Sequence, residues 1–167
     1  MIRVRAHRPG AVAQGAALVL LLAVCFSVAG LGGAITAETV NGWYQTLEKP
    51  WFTPPDPVFG IVWTVLYGLM AISAFVVWRR AGVRQVKGAW LLFATQLALN
   101  LLWSALFFGQ QRIGLALIDA VLLVVLVAAT AAAFARVSRA AAWLLAPYIA
   151  WGCFAVVLNG AIWMANP

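Results

Sequence analysis

The sequence has little charge, histidine or cysteine. Of its 167 residues only 9% are charged, four are Asp or Glu, one is His and two are Cys. A soluble domain carries about 25% charged residues. That shortage, with 65% hydrophobic residues and a mean hydropathy of +0.98, excludes a water-soluble globule.

Because these residue types are scarce, the chain lacks the side chains that conventional catalysis needs. His7 lies in a basic N-terminal tail, so the apolar segments have no histidine for a Ser-His-Asp triad or as a haem ligand. Cys25 and Cys153 are far from any CxxC spacing. No phosphate-binding glycine loop or pair of carboxylates is present. We therefore expect no catalytic residue, no metal site and no cofactor.

The few charges divide the chain into five long apolar segments. About 20 residues span a bilayer as a helix, and the run Val121–Val127 does not alternate as a barrel strand would. The pattern predicts an all-α membrane protein: a single domain over 1-167 that forms a bundle of five transmembrane helices. The expected helices are 11-36, 57-78, 88-110, 113-135 and 140-164, after a basic tail 1-10. The first is too long for a signal-peptide core, so we expect it to be retained.

Lys and Arg lie mostly on one side of this predicted bundle. They occur in the N-terminal tail, the second loop and the fourth loop, namely Arg3, Arg5, Arg8, Arg79, Arg80, Arg84, Lys87, Arg136 and Arg139. Only Lys49 and Arg112 lie on the other side. The positive-inside rule places the N-terminus in the cytoplasm and the first loop outside. The net charge of +7 therefore indicates orientation in a lipid bilayer, where the basic rim can hold anionic lipid, and not nucleic-acid binding.

The loop over residues 38–56 is the one connection long enough to have structure. Four prolines stiffen its second half and the start of the next helix, and four aromatic residues give it an apolar face. The prolines are Pro50, Pro54, Pro55 and Pro57, and the aromatics are Trp43, Tyr44, Trp51 and Phe52. Two interpretations are open: an interfacial aromatic belt, or a lid over a site below.

Three predicted helices each carry an aromatic and amide face at helical spacing. The faces are Phe59, Trp63, Tyr67 and Met70; Gln96, Asn100, Trp103 and Phe107; and Tyr148, Trp151, Ala155 and Asn159. Amides are costly in hydrocarbon without a partner, so these faces point inward. They line an aromatic cavity under the loop, or they are ordinary helix packing. Pro147 predicts a kink at the start of the third face.

Two further features are ambiguous. Asp119 is the only ionisable residue inside the predicted spans, which makes it a functional candidate, although a structural hydrogen bond to a neighbouring helix is the stronger interpretation. Small residues at spacing four, Ala94 with Ala98 and Ala105 with Gly109, favour close helix approach. They suggest a homodimer contact, or they reflect the alanine content alone.

Several of these segments together resemble the TspO/MBR family, which comprises bacterial tryptophan-rich sensory proteins and the mitochondrial translocator protein, or peripheral-type benzodiazepine receptor. The resemblance runs from about residue 42 to 166. It rests on Trp43-Tyr44, Leu47-Glu48-Lys49-Pro50-Trp51, Pro54-Pro55, Trp63-Thr64-Val65-Leu66-Tyr67, Gln96-Leu97-Ala98-Leu99-Asn100, Phe107-Phe108-Gly109, Pro147-Tyr148, Trp151 and Leu158-Asn159.

The resemblance implies a five-helix bundle, usually dimeric, that binds porphyrins and, in some members, sterols and benzodiazepine-type drugs. It implies a ligand-binding set of Tyr44, Pro54, Pro55, Trp63, Tyr67, Gln96, Asn100, Trp103, Trp151 and Ala155. The expected function is a tetrapyrrole-binding sensor or regulator of tetrapyrrole or stress metabolism. One alternative is a transporter of porphyrin or another apolar metabolite. The other is light-dependent porphyrin degradation, which in some bacterial members of the family is attributed to tryptophans that match Trp63 and Trp151.

The C-terminal segment departs from the vertebrate members. Their cholesterol-recognition pattern needs a Tyr followed by Lys or Arg, whereas residues 158–163 contain no Tyr and no Lys or Arg follows Arg139. Cholesterol transport is therefore not supported. With the charge asymmetry, this favours a bacterial inner membrane, and a mitochondrial outer membrane is the alternative.

Overall fold

The computed structural model describes residues 9–166, and all the regular secondary structure within that range is helical. Five segments are long and apolar enough to cross a membrane, which confirms the predicted all-α bundle. The helices are α1 (Ala11–Thr39), α2 (Trp43–Thr46), α3 (Asp56–Ala81), α4 (Lys87–Ser104), α5 (Ile113–Ala135), α6 (Arg139–Leu144) and α7 (Ala146–Ala165), with a 3-10 turn at Arg84–Val86. Arg3, Arg5 and Arg8, which were predicted to add positive charge on the cytoplasmic side, lie outside the described residues.

Helix boundaries differ from the prediction mainly beside the first loop. Helix α1 continues to Thr39, and the short helix α2 lies within the segment that was predicted as loop. Glu38 is consequently helical, because a charged residue at the end of a span can face the polar interface and need not end the helix. Residues 47–55, which contain three of the four prolines, are not helical.

The fifth span is two helices, and Pro147 explains the break. Helix α6 begins after Ser138, whose side chain accepts a hydrogen bond from the Ala141 amide, and it ends at Leu144. Helix α7 starts at Ala146 with Pro147 in its first turn. Proline has no amide hydrogen and is tolerated there. The fifth span is therefore interrupted at Leu145, two residues before the proline at which a kink was predicted.

A π-helical turn, Ala105–Gly109, continues α4 toward the first loop. It closes with the Gln110 amide donating to the Ala105 carbonyl over 2.8 Å. An extra residue in a turn rotates the side chains that follow, and such turns are frequent at functional sites. Here both Phe107 and Phe108 are buried. The apolar pattern of residues 105–109 did not indicate this turn.

The two halves of the bundle are packed differently. We call the half beside the first loop the lid half, and the half beside the second and fourth loops the basic half. Aliphatic and aromatic side chains fill the basic half as a continuous core that includes Met70, Ala74, Val77, Phe93, Leu97, Val127, Phe134 and Leu145. The lid half contains a smaller cluster around Tyr44, Phe107, Phe108 and Leu158 beside a cavity. Open space is therefore concentrated under the first loop.

Helix α1 approaches α4 closely at Gly32. A Cβ atom at this position would lie 3.1 Å from Ser104 Oγ, whereas one at Gly30, two residues earlier, would meet nothing within 4 Å. We expect Gly32→Leu to lower the free energy of unfolding by at least about 1 kcal/mol through overpacking. Detergent-solubilised protein unfolded by heat or denaturant measures the change. Gly30→Leu is the matched control, and equal effects of the two substitutions would contradict the close approach.

The four small residues proposed as a dimer contact do not form one free surface. A Cβ at Gly109 would lie 3.4 Å from Ile35 Cγ2 of α1, so that glycine lets α1 approach within the same chain. Ala105 begins the π-helical turn and is half-buried, while Ala94 and Ala98 are exposed on α4. Dimerisation through Ala94 and Ala98 stays a prediction.

Candidate functional site

A cavity of about 550 Å³ lies in the lid half. Its size is within the range of roughly 300–1,000 Å³ typical of small-molecule sites. Helices α1, α3, α4, α5 and α7, the π-helical turn and Tyr44 of α2 all contribute to its wall. Tyr67 is 11 residues into α3, which places the deep end roughly 16 Å from the start of that helix. The cavity therefore extends from beneath the first loop to about mid-span.

Seven of the ten predicted ligand-binding residues line this one cavity. They come from four separate elements and are Tyr44, Trp63, Tyr67, Asn100, Trp103, Trp151 and Ala155. The aromatic faces predicted on α3, α4 and α7 thus meet at the cavity. Their role in binding stays a prediction.

The other three predicted residues lie elsewhere. Gln96 is one turn deeper than Asn100, and its amide is buried against the Met70 sulfur, with 3.7 Å between Nε2 and Sδ. Its Oε1 has no hydrogen-bond partner among the described residues. Pro54 and Pro55 immediately precede α3 and are not part of the cavity wall. Spacing placed Gln96 on the correct face, but the cavity does not extend that far.

Asn100 joins three helices at the deep end of the cavity. The Tyr67 hydroxyl on α3 donates to Asn100 Oδ1, and Asn100 Nδ2 donates to the Tyr148 hydroxyl on α7 over 2.6 Å. All three side chains are buried. A buried amide with both ends paired avoids the cost of unsatisfied polar groups, so this bridge fixes α3, α4 and α7 around the cavity floor.

A second amide orders another part of the cavity wall. Asn159 on α7 accepts a hydrogen bond from Trp103 Nε1 over 3.1 Å, and its own Nδ2 donates to the Ile113 carbonyl over 3.0 Å. Trp103 in turn stacks on Phe107 of the π-helical turn, with centroids 5.1 Å apart and planes 20° apart. The indole is held in one orientation, with its ring on the cavity wall.

The start of the first loop forms part of the cavity wall through Val40, Asn41 and Tyr44, and we call this loop the lid. Tyr44 is buried, and its ring contacts Phe107 and Phe108 with centroid distances of 6.3 and 5.6 Å. Lys49 Nζ lies 4.6 Å from the Tyr44 ring centroid and donates to the Tyr44 carbonyl over 2.7 Å. Burial, and secondly the Asp56 carboxylate, raise the pKa of Tyr44 to about 12. The tyrosine therefore stays neutral, as an apolar wall requires.

The C-terminal end of α7 fastens this lid. Asn166 Oδ1 accepts from the Glu48 amide over 3.0 Å, and Asn166 Nδ2 donates to the Glu48 carbonyl over 2.9 Å and to the Ile162 carbonyl over 2.8 Å. A side-chain amide that pairs with both backbone groups of one residue mimics a sheet ladder. We call this pair the Glu48–Asn166 clamp.

Asp119 is buried beside the cavity, and its Oδ2 has no hydrogen-bond partner among the described residues. Its neighbour Ala120 lines the cavity, whereas Asp119 does not. The hydrogen bond to a neighbouring helix that the sequence suggested is thus not formed by Oδ2. The functional role of this residue stays a prediction.

Sequence reasoning missed the contribution of α1. Five of its small residues line the cavity, namely Ala29, Gly32, Gly33, Thr36 and Ala37. The helix is apolar around its whole circumference, so no face could be chosen from periodicity. The cluster of small side chains on its second half is the one signal that could have indicated close packing or a cavity wall.

Comparison with known proteins agrees with this architecture. The sequence model of the TspO/MBR family matches residues 18–164. The tryptophan-rich protein TspO of Chlorobaculum tepidum is 41% identical over 154 residues, covering 90% of this chain and 96% of that protein. The translocator protein of Sus scrofa is 40% identical over 145 residues (83% and 86%), and the tryptophan-rich sensory protein of Cereibacter sphaeroides is 38% identical over 138 residues (83% and 84%). With its five apolar spans, this chain is a multi-pass membrane protein that belongs to the TspO/MBR family.

Proposed function

We propose that this protein binds a tetrapyrrole, such as a porphyrin, in the lidded cavity and acts as a sensor or regulator of tetrapyrrole or stress metabolism. The observation that carries the proposal is the composition of the cavity wall: three indole rings from three helices, with a single buried amide bridge at the floor. Flat aromatic ligands bind such walls by offset and edge contacts. The sensory role rests on the name of the relative from Cereibacter sphaeroides.

The ring geometry supports a flat ligand. Phe59 and Trp151 meet edge to face at 5.8 Å, and Trp63 meets Tyr67 at 5.9 Å. These rings form one side of the cavity, and the ordered Trp103 forms part of another. The small residues of α1 leave room between the two sides. We expect a planar macrocycle in this space to contact aromatic rings on both of its surfaces.

Orientation in the membrane follows from the charges at the two ends. Six cationic residues lie in the second and fourth loops or at the adjacent helix ends, while Lys49 and Arg112 are the cationic residues beside the lid. We infer a bacterial inner-membrane protein with the basic half toward the cytoplasm and the lid outside.

Titration with protoporphyrin, followed by tryptophan fluorescence, tests the binding proposal. We expect saturable quenching in the native protein and an affinity about fivefold lower for Trp63→Leu, because one wall ring is removed while the others remain. Trp143→Leu is the matched control, since Trp143 is 75% exposed and does not line the cavity.

Two outcomes would contradict the proposal. One is the absence of saturable quenching in the native protein. The other is an equal affinity loss in Trp63→Leu and Trp143→Leu, which would place the porphyrin on the outer surface. Thermal unfolding of each variant separates loss of binding from loss of folding.

A further inference from the structure

Helices α3 and α7 make few backbone contacts with each other at the seam between them, although their aromatic side chains meet. Helix α3 packs on α1 and α6, and α7 packs on α5, but the backbones of α3 and α7 hardly approach each other. Aromatic rings bridge the gap instead: Phe59 meets Trp151 at 5.8 Å, and Trp63 meets Tyr148 at 5.9 Å. Side chains alone therefore close this side of the cavity.

A groove of about 480 Å³ runs along the outside of the same seam. Its lining is apolar throughout and comes from both helices: Ile61, Val62, Val65 and Leu66 on α3, and Pro147, Ala150, Trp151 and Phe154 on α7. Ile61 and Val65 are 67% and 56% exposed. Because these residues lie within membrane spans, the groove faces the hydrocarbon of the bilayer.

Trp151 belongs to both spaces. It lines the groove on one side and the cavity on the other, so the indole is the wall between them. Its neighbours on the wall are rings and not backbone: Phe59 on α3, and Phe154, whose ring centroid is 5.2 Å away. Rotation of one side chain, without movement of a helix backbone, would join the groove to the cavity.

We propose that the apolar ligand reaches the cavity from the bilayer through the α3–α7 seam, and that Trp151 is the side chain that opens and closes this entrance. The inference rests on the proposed function, because it takes the flat apolar ligand of the cavity as the occupant of the groove. A ligand that partitions into hydrocarbon meets an apolar groove at membrane depth before it meets the water-facing lid. The lid, fastened by the Glu48–Asn166 clamp, then stays closed during entry.

Filling the groove from outside tests this route without altering the cavity. Ala150 is exposed and lines the groove but not the cavity, and Ala128 is exposed on α5 and lines neither space. In proteoliposomes loaded with protoporphyrin, we expect Ala150→Phe to slow association at least about fivefold with little change in equilibrium affinity, because a blocked passage slows entry and exit alike. Ala128→Phe is expected to behave as the native protein. Equal association rates in the two variants would overturn the proposal.

For Trp151→Ala we expect the opposite change in the association rate of protoporphyrin. A residue that only contacts ligand changes the dissociation rate when it is removed, whereas a residue that blocks entry also changes the association rate. We therefore expect Trp151→Ala to associate about threefold faster than the native protein, although it binds less tightly. An unchanged or slower association rate would show that Trp151 is a contact residue and not an entrance.

A measurement without porphyrin separates the failure of this route from the failure of the proposed function. Phosphatidylcholine brominated on its acyl chains quenches tryptophans that the chains reach. We expect this quenching to be weaker in Ala150→Phe than in Ala128→Phe. The difference should equal the quenching of Trp151 itself, which is the part of the signal that Trp151→Phe removes. Equal quenching in the two alanine variants would overturn the access of bilayer hydrocarbon to Trp151, whether or not protoporphyrin binds.

Discussion

Asn100→Leu is expected to lower the free energy of unfolding by about 2 kcal/mol, because it leaves two buried tyrosine hydroxyls without their partner. Leucine has the same number and branching of side-chain heavy atoms as asparagine and is not smaller, so the substitution creates no cavity. Asn100 is 5% exposed, and Tyr67 and Tyr148 are 4% and 1% exposed. Water therefore does not readily replace the amide. Denaturant unfolding in detergent micelles measures the change.

The control for this prediction removes all the polar groups together. Tyr67→Phe and Tyr148→Phe, combined with Asn100→Leu, leave an apolar floor of similar shape with nothing unsatisfied. We expect the triple variant to be more stable than Asn100→Leu alone, since the couplings among contacting residues are not additive. If the single substitution is harmless, or if the triple variant is the less stable of the two, the bridge Tyr67–Asn100–Tyr148 does not hold the cavity floor.

Asn166→Ala is expected to release the lid. The substitution removes both hydrogen bonds of the Glu48–Asn166 clamp, which together correspond to about 1–3 kcal/mol. Hydrogen exchange measures this directly: we expect at least about tenfold faster exchange of the Glu48 amide and its neighbours in residues 43–49, because local opening sets the exchange rate. Bound protoporphyrin should also dissociate faster.

Gln110→Ala is the matched control for the clamp. Gln110 is an exposed amide at the same end of the bundle, so its removal tests the general effect of deleting an amide there. Exchange across residues 43–49 should remain that of the native protein. Unchanged exchange in Asn166→Ala would mean that the ring contacts of Tyr44 with Phe107 and Phe108 hold the lid without the clamp.

Most of the fold, and much of the site, could be read from residue patterns. Apolar length and the positions of the charges predicted five spans, because lipid leaves the backbone no partner except its own helix. Helical spacing placed Trp63, Asn100 and Trp151 on inward faces, and the structure puts all three on one cavity. Pro147 marked the break in the fifth span because proline lacks the amide hydrogen of a helix interior.

Other features had no local signal. The π-helical turn at Ala105–Gly109 lies in an apolar run that fits an α-helix equally well. Helix α1 lacks a polar face, so its share of the cavity wall was not predictable. Gln96 satisfied the same spacing rule as Asn100, yet it lies beyond the cavity against Met70. Periodicity gives a direction around the helix axis and carries no information about where packed side chains end and open space begins.

The sequence by itself determined that this chain spans a membrane five times and that one set of indoles and amides faces inward, since both follow from the cost of charge and unpaired polar groups in hydrocarbon. Only the tertiary structure decided which inward residues share a cavity. It also decided that Asn166 fastens a loop 118 residues away in the chain and that Trp151 is a wall between the cavity and an apolar groove. Such contacts depend on how the helices are placed around one another, which hydropathy and spacing within one helix leave open.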